Sequence, residues 1–592
     1  MKSFDLIFLG GGISALMVSR YLKLQNPNLK ILILEKKIIT NYNPGESTVG
    51  VAGLFLIRDL QLSTYCYLNH LPKNGLRYFF HDEQQNFVVE ECSEIGSNIL
   101  PIFPTFQIDR KSFDADLQIL NQKIGIEIEL GAKVTDLNIN DDKHIITYKK
   151  DNKVYKSSTK WLINSLGRAN NQFKIFDEIS PKSLNQSLKT ASSWGRFTNV
   201  SDIDLLGDKK WQKKVGFTSR YLSTNHFMGE GYWIWVIPIG KDIVSFGIVY
   251  DYKIIKEDLQ DPKLFLNFLK SHPFCKLLIQ DAQQIDFQCS PHLAYKRTQF
   301  AHKSHISFLA ESYAFVDPFY SPGSDIIARQ AYLLEHLINS NQKDLSNTIE
   351  TINKYVDLEL SIIQTLYQNQ YLGFASFELF NIKSLWDFHS YTNRMVFNFY
   401  QEKFKDLNWI KREIDAGQST LKLTKAIQTG FVDLALYLKE NKIEKRYNLN
   451  QYSLRQNRFK IEEEILLNYN DDQAIIEHLN LCKITVCELL QVRYQYNFDK
   501  KIIQDQLNFS LIQNFQLNNT FLEKLLKKLV KTMSRNILSK FQQKLEVELQ
   551  IEDFSLKVPQ YFKNQSKEMQ QFIYTLWNAK TPNPLQESFP KL

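Results

Sequence analysis

A strand–turn–helix–strand pattern fills the first 37 residues and constrains the fold more than any other feature of the sequence. The apolar run FDLIFL (residues 4–9) is followed by the glycine turn GGGIS, the helical pattern ALMVSRYLKLQ and a second apolar run, ILILEKK. Short apolar runs between turn signals are typical of strands buried in a parallel sheet. The pattern therefore predicts a βαβ unit and an α/β fold.

This unit carries a GxGxxA motif at the junction of strand and helix, formed by Gly10, Gly12 and Ala15. The first glycine permits the turn, the second lets a pyrophosphate approach the backbone, and the small third residue allows close helix packing. The first N–H groups of the helix face the phosphates. Glu35 ends the second strand, where a ribose hydroxyl needs an acceptor. These residues predict a dinucleotide site.

Composition excludes several other classes of function. The formal charge of +8 comes from lysines interspersed with glutamates, which argues against nucleic-acid binding. No apolar run is long enough to span a membrane, so we expect a cytoplasmic protein. The cysteines show no CxxC pair, which favours a reducing compartment, and HKSH (302–305) lacks a placed partner, so we expect no metal site. The six cysteines are Cys66, Cys92, Cys275, Cys289, Cys482 and Cys487.

The length of 592 residues predicts more than one domain. Alternating short runs from about 182 to 300 predict an antiparallel sheet inserted into the first domain. Beyond about 335, amphipathic patterns predict a mostly helical region, with the polar run 439–458 as a linker or exposed connection. We therefore expect a dinucleotide-binding domain over 1–335 and a mostly helical domain over 336–592.

Five motifs together resemble the flavin-dependent halogenases of the tryptophan-halogenase-like superfamily, over residues 1 to about 335. They are GxGxxA, PGESTVG (44–50), LPKNGLRYFF (71–80), WIWVIP (233–238) and DPFYSPG (317–323). WxWxIP is the most specific of them, because it separates these halogenases from flavin monooxygenases that share their fold. The resemblance implies an FAD-binding Rossmann-like fold of the p-hydroxybenzoate hydroxylase/glutathione reductase type.

The resemblance also implies a set of site residues. Reduced FAD, oxygen and chloride or bromide would give hypohalous acid, which travels along a tunnel to Lys73. Lys73 would polarise the halogen as an ammonium or form a haloamine as an amine, and Glu46 is a second catalytic candidate. The chain shows no second GxGxxG, so a separate flavin reductase would supply reduced FAD. The implied FAD contacts are Gly10, Gly12, Ala15, Glu35, Arg110, Asp317 and Gly323; the halide contacts are Gly323 and Ser324, because Pro322 has no N–H; the tunnel residues are Trp233, Trp235 and Pro238.

Two departures from the family pattern bear on the substrate and on flavin binding. Tyr320 stands where tryptophan-specific enzymes have a glutamate, which favours an electron-rich phenol or pyrrole, or an indole-like ring, either free or tethered to an acyl or peptidyl carrier protein. Glu311-Ser312 replaces the usual Gly-Asp pair. A flavin monooxygenase that hydroxylates its substrate directly and a non-catalytic flavoprotein stay open as alternatives.

Two further segments have a plainer interpretation. The aromatic residues of 371–400 could hold a substrate ring, but such a stripe is more typical of core packing. The basic amphipathic pattern at 521–541 could meet a carrier protein or an anionic membrane, but it is more typical of a solvated helix.

Overall fold

The computed structural model describes residues 1–453, apart from 83–85, 99, 102, 141–142, 169–172, 241 and 446. The helix predicted over 521–541, the end of the polar run 439–458, and Cys482 and Cys487 lie outside the described residues. In chain order the strands are β1 (Lys2–Leu9), β2 (Ile31–Glu35), β3 (Leu71–Pro72), β4 (Leu76–Phe80), β5 (Ser93–Ile95), β6 (Phe106–Gln107), β7 (Glu127–Leu130), β8 (Lys133–Asn138), β9 (His144–Lys150), β10 (Lys153–Asn164), β11 (Lys182–Leu184), β12 (Thr190–Thr198), β13 (Thr224–Gly229), β14 (Tyr232–Gly240), β15 (Ile243–Asp251), β16 (Gln283–Gln284), β17 (Gln288–Ser290), β18 (Tyr295–Arg297), β19 (Ala301–His302), β20 (Ile306–Phe308), β21 (Ala314–Phe315) and β22 (Tyr452–Ser453).

The α-helices alternate with the strands in the first half of the chain and dominate after residue 323. In chain order they are α1 (Ile13–Gln25), α2 (Gly50–Leu54), α3 (Ser63–Asn69), α4 (Arg110–Lys123), α5 (Lys174–Ile179), α6 (Lys209–Lys213), α7 (Pro262–Ser271), α8 (Pro273–Leu278), α9 (Gly323–Asn339), α10 (Leu345–Thr365), α11 (Phe377–Tyr391), α12 (Phe397–Tyr400) and α13 (Leu407–Glu440).

The first sheet confirms the predicted α/β core. Its order is β19-β20-β10-β1-β2-β7, and the strands from β20 to β7 pair in parallel with one another. Strand β19 pairs antiparallel with β20, and the hairpin of β8 and β9 joins β10 antiparallel. The first apolar run forms β1 and pairs with β2 and β10 in the centre of the sheet. Helix α1 crosses from β1 to β2 and packs against α9 and α4. The carboxyl ends of these strands meet at one edge, where open α/β sheets bind ligands.

The second sheet corrects the prediction for residues 182–300. Strands β12, β15, β14 and β13 form the expected antiparallel meander, but β4 adds to β13 in parallel and brings β5 with it. Strands β11 and β18, both within 182–300, instead form a separate sheet with β21. Pairing between β4 and β13 joins segments almost 150 residues apart, which local patterns cannot predict. It brings the LPKNG turn, directly before β4, to the edge of the tryptophan strand β14.

The described part of the C-terminal region is helical, as predicted. Helix α10 packs against α9 and α13, and one apolar core continues from the first sheet into these helices. Helix α9 runs from Gly323 to Asn339, through the proposed domain boundary at 335, so we propose that the division follows the end of this helix. Among the described residues, no helix combines the length and the apolar character needed to cross a membrane.

Candidate active site

A cavity of about 680 Å³ opens at the carboxyl edge of the first sheet and ends against the tryptophan strand. It brings together most of the residues singled out in the sequence, although they come from six separate segments. The predicted residues that line it are Gly10, Gly12, Glu35, Glu46, Arg110, Trp233, Trp235, Asp317, Gly323 and Ser324. Three predicted residues are outside this lining. Ala15 is buried behind the glycine turn, and Pro238 is on the opposite face of β14. Lys73 is behind the hydroxyl group of Ser47, which lines the cavity.

Three glycines form a cradle along this cavity. A Cβ atom added at Gly12, Gly167 or Gly323 would meet no protein atom within 4 Å. Each glycine lines the cavity, and each comes from a different turn after a strand. The open space at each Cβ position is therefore space that a ligand can fill. Such a cradle fits a long dinucleotide that approaches the backbone at several points.

Gly10 has a different role, because it is needed by the turn itself. Its φ is +95°, and a Cβ here would lie 2.7 Å from the carbonyl oxygen of Ser165. Ser165 in turn donates from Oγ to the carbonyls of Leu9 and Gly10. Only glycine allows this conformation together with this close approach of two backbone segments. In the GxGxxA motif the first glycine is therefore required by the turn, whereas the second has open cavity space at its Cβ position.

Glu35 and Arg110 line the cavity, and each uses only some of its hydrogen-bonding positions within the protein. The Glu35 carboxylate accepts from the N–H of Gly11 at 2.7 Å and the N–H of Lys37 at 2.8 Å. Arg110 pairs with Asp114 through Nε and Nη2 at 2.9 and 2.8 Å and donates from Nη1 to Pro44 O at 2.6 Å. A carboxylate has about four acceptor positions and a guanidinium has five donors, so both side chains keep capacity toward a ligand.

The start of α9 faces the cavity through Gly323 and Ser324. Pro322 is the N-cap of this 17-residue helix, and the first N–H groups of a helix have no partner within it. Ser321, directly before the proline, has a φ of +55°, a left-handed conformation that is uncommon for a non-glycine residue. The turn therefore presents the positive end of a helix, whose first turn also carries Asp325, to the cavity.

Trp233 and Trp235 form a wall at the inner end of the cavity. They occupy alternate positions of β14 and so face the same side of the sheet, with ring centroids 5.8 Å apart. Ile237 continues the wall, whereas Pro238 falls on the other face. On the neighbouring strand, a Cβ at Gly247 would lie 2.1 Å from the Trp235 ring, so glycine provides the space for this indole.

Each indole of the wall is tied to a buried carboxylate through a hydroxyl group. Trp233 Nε1 donates to Tyr371 Oη at 3.1 Å, and Tyr371 donates to Asp317 Oδ2 at 2.6 Å. Trp235 Nε1 donates to Ser245 Oγ at 3.1 Å, and Ser245 in turn bonds to Glu46. Burial raises the pKa of Asp317 to about 7, against the hydrogen bond from Tyr371.

Glu46 also pairs with Arg196, whose guanidinium nitrogen lies 2.8 Å from Oε1. Both side chains are buried, and burial raises the pKa of Glu46 against the effect of Arg196. A buried carboxylate paired in this way is held at a fixed position. These contacts are typical of a residue that positions Trp235, and less so of one that exchanges protons with a substrate.

Lys73 is 2% exposed and has an unusual environment for a lysine. Its Nζ donates to Ser47 Oγ at 2.7 Å and to Thr48 O at 2.8 Å. Burial lowers the pKa of Lys73 to about 7, with the nearby Asp325 carboxylate acting in the opposite direction. Near neutral pH the side chain therefore exists as both ammonium and amine, which is the condition for acid–base or nucleophilic work.

Several residues of the site were not predicted from the sequence. Ser47, Thr224 and Ser321 place three hydroxyl groups between Lys73 and the cavity. Tyr320, at the position of the expected glutamate, donates to Asp387 Oδ2 at 2.6 Å. Ser47 belongs to PGESTVG, Ser321 and Tyr320 belong to DPFYSPG, and Thr224 belongs to none of the five motifs. The rings of 371–400 pack into the apolar core, as favoured, although the hydroxyl of Tyr371 reaches the site.

The pair Glu311-Ser312 also has a defined place. Ser312 Oγ accepts from the N–H of Gly167 at 2.8 Å, and Glu311 pairs with Arg168 at 3.0 Å beside the cavity. These bonds stabilise the glycine turn after β10. No group of three His, Cys, Asp or Glu side chains that could hold a metal ion occurs in the part of the chain that the structure describes.

No family model matches the chain, but curated proteins of similar sequence are halogenases. The chain is 28% identical over 412 residues to the flavin-dependent halogenase chlA of Dictyostelium discoideum, covering 64% of this chain and 68% of that protein. It is 24% identical over 327 residues to the 1H-pyrrole-2-carbonyl-(peptidyl-carrier protein) brominase of Pseudoalteromonas luteoviolacea, covering 54% of this chain and 74% of the relative.

Solved structures show the same fold. The halogenase PltM in complex with phloroglucinol and FAD superposes with a TM-score of 0.58 at 15% identity, covering 91% of this chain and 99% of the other. The myxobacterial chondrochloren halogenase CndH, an FAD-dependent halogenase, superposes with a TM-score of 0.52 at 16% identity. The match covers 62% of this chain and 83% of CndH. The relatives in sequence are named as a flavin-dependent halogenase and a brominase, and the solved structures share the fold, which supports an enzyme of the flavin-dependent halogenase type with FAD as its cofactor.

Proposed function

We propose that the enzyme uses reduced FAD, oxygen and chloride or bromide to halogenate an electron-rich aromatic ring by way of Lys73. The ring is a phenol, a pyrrole or an indole-like compound. One observation carries the proposal: Lys73 is buried immediately behind a cavity that has a cradle for a dinucleotide at one end and a wall of two tryptophans at the other.

The cradle supports a specific placement of FAD. Gly10, Gly12 and the start of α1 would hold the pyrophosphate, Glu35 the ribose, and Arg110, Asp317 and Gly323 the remainder of the cofactor. When bound and reduced, FAD supplies, with oxygen, the oxidation of halide to hypohalous acid. Side chains and backbone groups of the chain bind the halide, exclude the substrate from the flavin and bind the hypohalous acid.

The N–H groups of Gly323 and Ser324 would hold the halide, because helix-start donors attract an anion without adding a counter-ion. Trp233 and Trp235 exclude the aromatic substrate from the flavin, since each indole is held in place by its own hydroxyl and carboxylate. Lys73 receives hypohalous acid. As an ammonium it donates a hydrogen bond that polarises the halogen; as an amine it takes the halogen from the hypohalous acid to form a haloamine, and the oxygen leaves as water.

The relatives support a small aromatic substrate and leave two forms of it to test. The name of the brominase from Pseudoalteromonas luteoviolacea specifies a pyrrole attached to a peptidyl carrier protein. The PltM complex, in contrast, contains phloroglucinol. We propose a substrate of this chemistry, either free or carrier-tethered. The reduced flavin is proposed to come from a separate flavin reductase.

The proposal is tested by supplying the full-length protein with FAD, a flavin reductase, NADH and oxygen, with and without bromide or chloride. A panel of free and carrier-tethered phenols, pyrroles and indoles is added, and the products are analysed by mass spectrometry. We expect products with the isotope pattern of the added halide. Hydroxylated products that form equally without halide would instead make the chain a monooxygenase, and FAD oxidation without any product across both substrate forms would contradict the proposal.

The burial of Lys73 also predicts a pH-dependent effect on stability. Between its folded pKa of about 7 and its ordinary value of 10.5, the unfolded chain holds more protons at this side chain than the folded chain. The stability of the wild type therefore rises with pH across this window. Lys73→Met lacks this contribution, so its stability relative to the wild type should be highest below about pH 7 and fall as the pH approaches 10.5.

Thermal unfolding at about pH 6 and about pH 10 measures this difference. Lys160→Met, which replaces an exposed lysine, is the control and should run parallel to the wild type. A difference between Lys73→Met and the wild type that is the same at both pH values would show that Lys73 titrates alike in the folded and unfolded chain.

A further inference from the structure

Lys73 is separated from the cavity by hydroxyl groups. Ser47, Thr224 and Ser321 line the cavity, whereas Lys73 is absent from its lining. Ser47 lies at the centre of this group: its Oγ is 2.7 Å from Lys73 Nζ, 2.9 Å from Thr224 Oγ1 and 3.2 Å from Ser321 Oγ. Among the described contacts of Lys73, only the one with Ser47 leads directly to the cavity.

The hydrogen-bond count at Ser47 fixes the direction of each bond. A serine hydroxyl accepts at two positions and donates one hydrogen. Lys73 can only donate while charged, and Ser321 Oγ donates to Ser47, so both acceptor positions are used. The hydrogen of Ser47 is then directed to Thr224 Oγ1. Lys73, Ser47 and Thr224 thus form a chain of donors that ends at the cavity surface.

The same bonds orient the lysine. An ammonium has three N–H groups, and those of Lys73 that have acceptors among the described residues point at Ser47 Oγ and Thr48 O. With two directions fixed, the third is fixed as well. Loss of either acceptor would let the amine rotate, so Ser47 decides where the remaining N–H or lone pair points.

We propose that Ser47 is the positioning residue of Lys73 and, with Thr224, carries protons between Lys73 and the cavity. This inference rests on the proposed function of Lys73. In the transfer, the ammonium gives a proton to Ser47 Oγ, Ser47 passes its own to Thr224 Oγ1, and Thr224 passes its own to water in the cavity. The lysine becomes a neutral amine, both hydroxyls end unchanged, and the water becomes hydronium.

The charged and titratable groups around Lys73 are consistent with this path. Asp325, at the start of α9, is the carboxylate that acts on Lys73, and Tyr391 and the N–H of Ala52 bond to it at 2.5 and 2.7 Å. His226, on β13, is buried, and burial lowers its pKa to about 3, so it is neutral in the working range. Burial raises the pKa of Asp325 to about 6, so this carboxylate also titrates near the range of Lys73, but it lies outside the cavity lining, whereas the hydroxyl chain leads from Lys73 to that lining.

A measurement of Lys73 that needs no turnover tests the positioning role. Cyanate carbamylates neutral amines and is small enough to enter the cavity; peptide mass spectrometry of the full-length protein gives the rate at Lys73 as a function of pH. In the wild type the midpoint should lie near 7. Ser47→Ala removes an acceptor of the charged form, so its midpoint should fall by about one unit. Ser47→Thr keeps the hydroxyl and should restore the wild-type midpoint.

Two controls separate positioning from general damage. The rate at the exposed Lys160 should not change in any variant. Ser307→Ala removes another buried hydroxyl, which bonds to Phe300 O away from the cavity, and should leave the Lys73 midpoint unchanged. An unchanged midpoint in Ser47→Ala would overturn the positioning role, whether or not the wild type halogenates any compound of the panel.

Thr224→Val tests proton transfer separately, because valine has the shape of threonine and leaves the bonds between Lys73 and Ser47 intact. The midpoint of Lys73 should stay at its wild-type value, while kcat for halogenation falls and KM is unchanged. Ser47→Ala should lower kcat more, by about a hundredfold, because it also misplaces the amine. A wild-type kcat in Thr224→Val would overturn the relay and leave Ser47 with positioning alone. If the wild type yields no halogenated product, the proposed function fails while the carbamylation result still decides the role of Ser47.

Discussion

Lys73→Met is expected to lower halogenation by roughly 10²- to 10⁴-fold while FAD is still bound and oxidised. Methionine has nearly the length of lysine and tolerates burial, but it has neither an N–H donor nor an amine nitrogen. Hypohalous acid would then form without a group to hold it and would escape from the cavity. The measurement compares halogenated product with free hypohalous acid, trapped by an added thioether, for each flavin oxidised.

Lys182→Met is the matched control for this variant. Lys182 is also partly buried, and burial lowers its pKa, but it lies on β11 against the ring of Tyr295 and outside the cavity lining. Its replacement should leave product formation at the wild-type rate. If Lys73→Met formed product at that rate as well, the amine would have no part in the reaction, and the role of the buried lysine would be structural.

Gly12→Ala is expected to weaken FAD binding by about 10- to 100-fold without destabilising the protein free of FAD. Gly12 has an ordinary φ of −72°, and its Cβ would meet no protein atom within 4 Å, so the folded chain accepts alanine. The added methyl group occupies cavity space at the start of α1, where the pyrophosphate would lie. Fluorescence titration with FAD and thermal unfolding of the FAD-free protein measure the two effects.

Gly10→Ala gives the contrasting result, because its methyl group would meet the Ser165 carbonyl and its φ is positive. It should destabilise the protein before any ligand is added. FAD binding of wild-type strength in Gly12→Ala would mean that the open space at this glycine is not used by the cofactor, and the proposed cradle would need to be revised.

The residues that local patterns predicted correctly share one property: their role depends on neighbours in sequence. The GxGxxA turn lies between β1 and α1, Arg110 begins α4 as expected, and the two tryptophans face one way because they alternate along a single strand. Pro238 was predicted with them, and strand alternation puts this even-numbered residue on the other face. Ile237 takes its place in the wall.

The predictions that needed correction involve distant segments. The sheet predicted over 182–300 also contains β4, which pairs in parallel with β13. The prediction missed β4 because such a pairing leaves no local pattern in either strand. The ties between Trp233, Tyr371 and Asp317 join three segments spread over 138 residues. A tyrosine in a helical stretch rich in aromatic residues gives no sign that its hydroxyl will meet an indole and a carboxylate.

The sequence by itself determined the βαβ core and the resemblance to halogenases and predicted a dinucleotide site at the carboxyl edge of that core, because each depends on periodicity or on a short motif. Only the tertiary structure decided the state of Lys73. A lysine beside Asn74-Gly75 is, by sequence, a turn residue exposed to water. In the folded chain Lys73 is buried, with Ser47 and Thr48 as its acceptors, and burial lowers its pKa to about 7. Desolvation is set by everything packed around a group, so it cannot be read from the residues next to it in the chain.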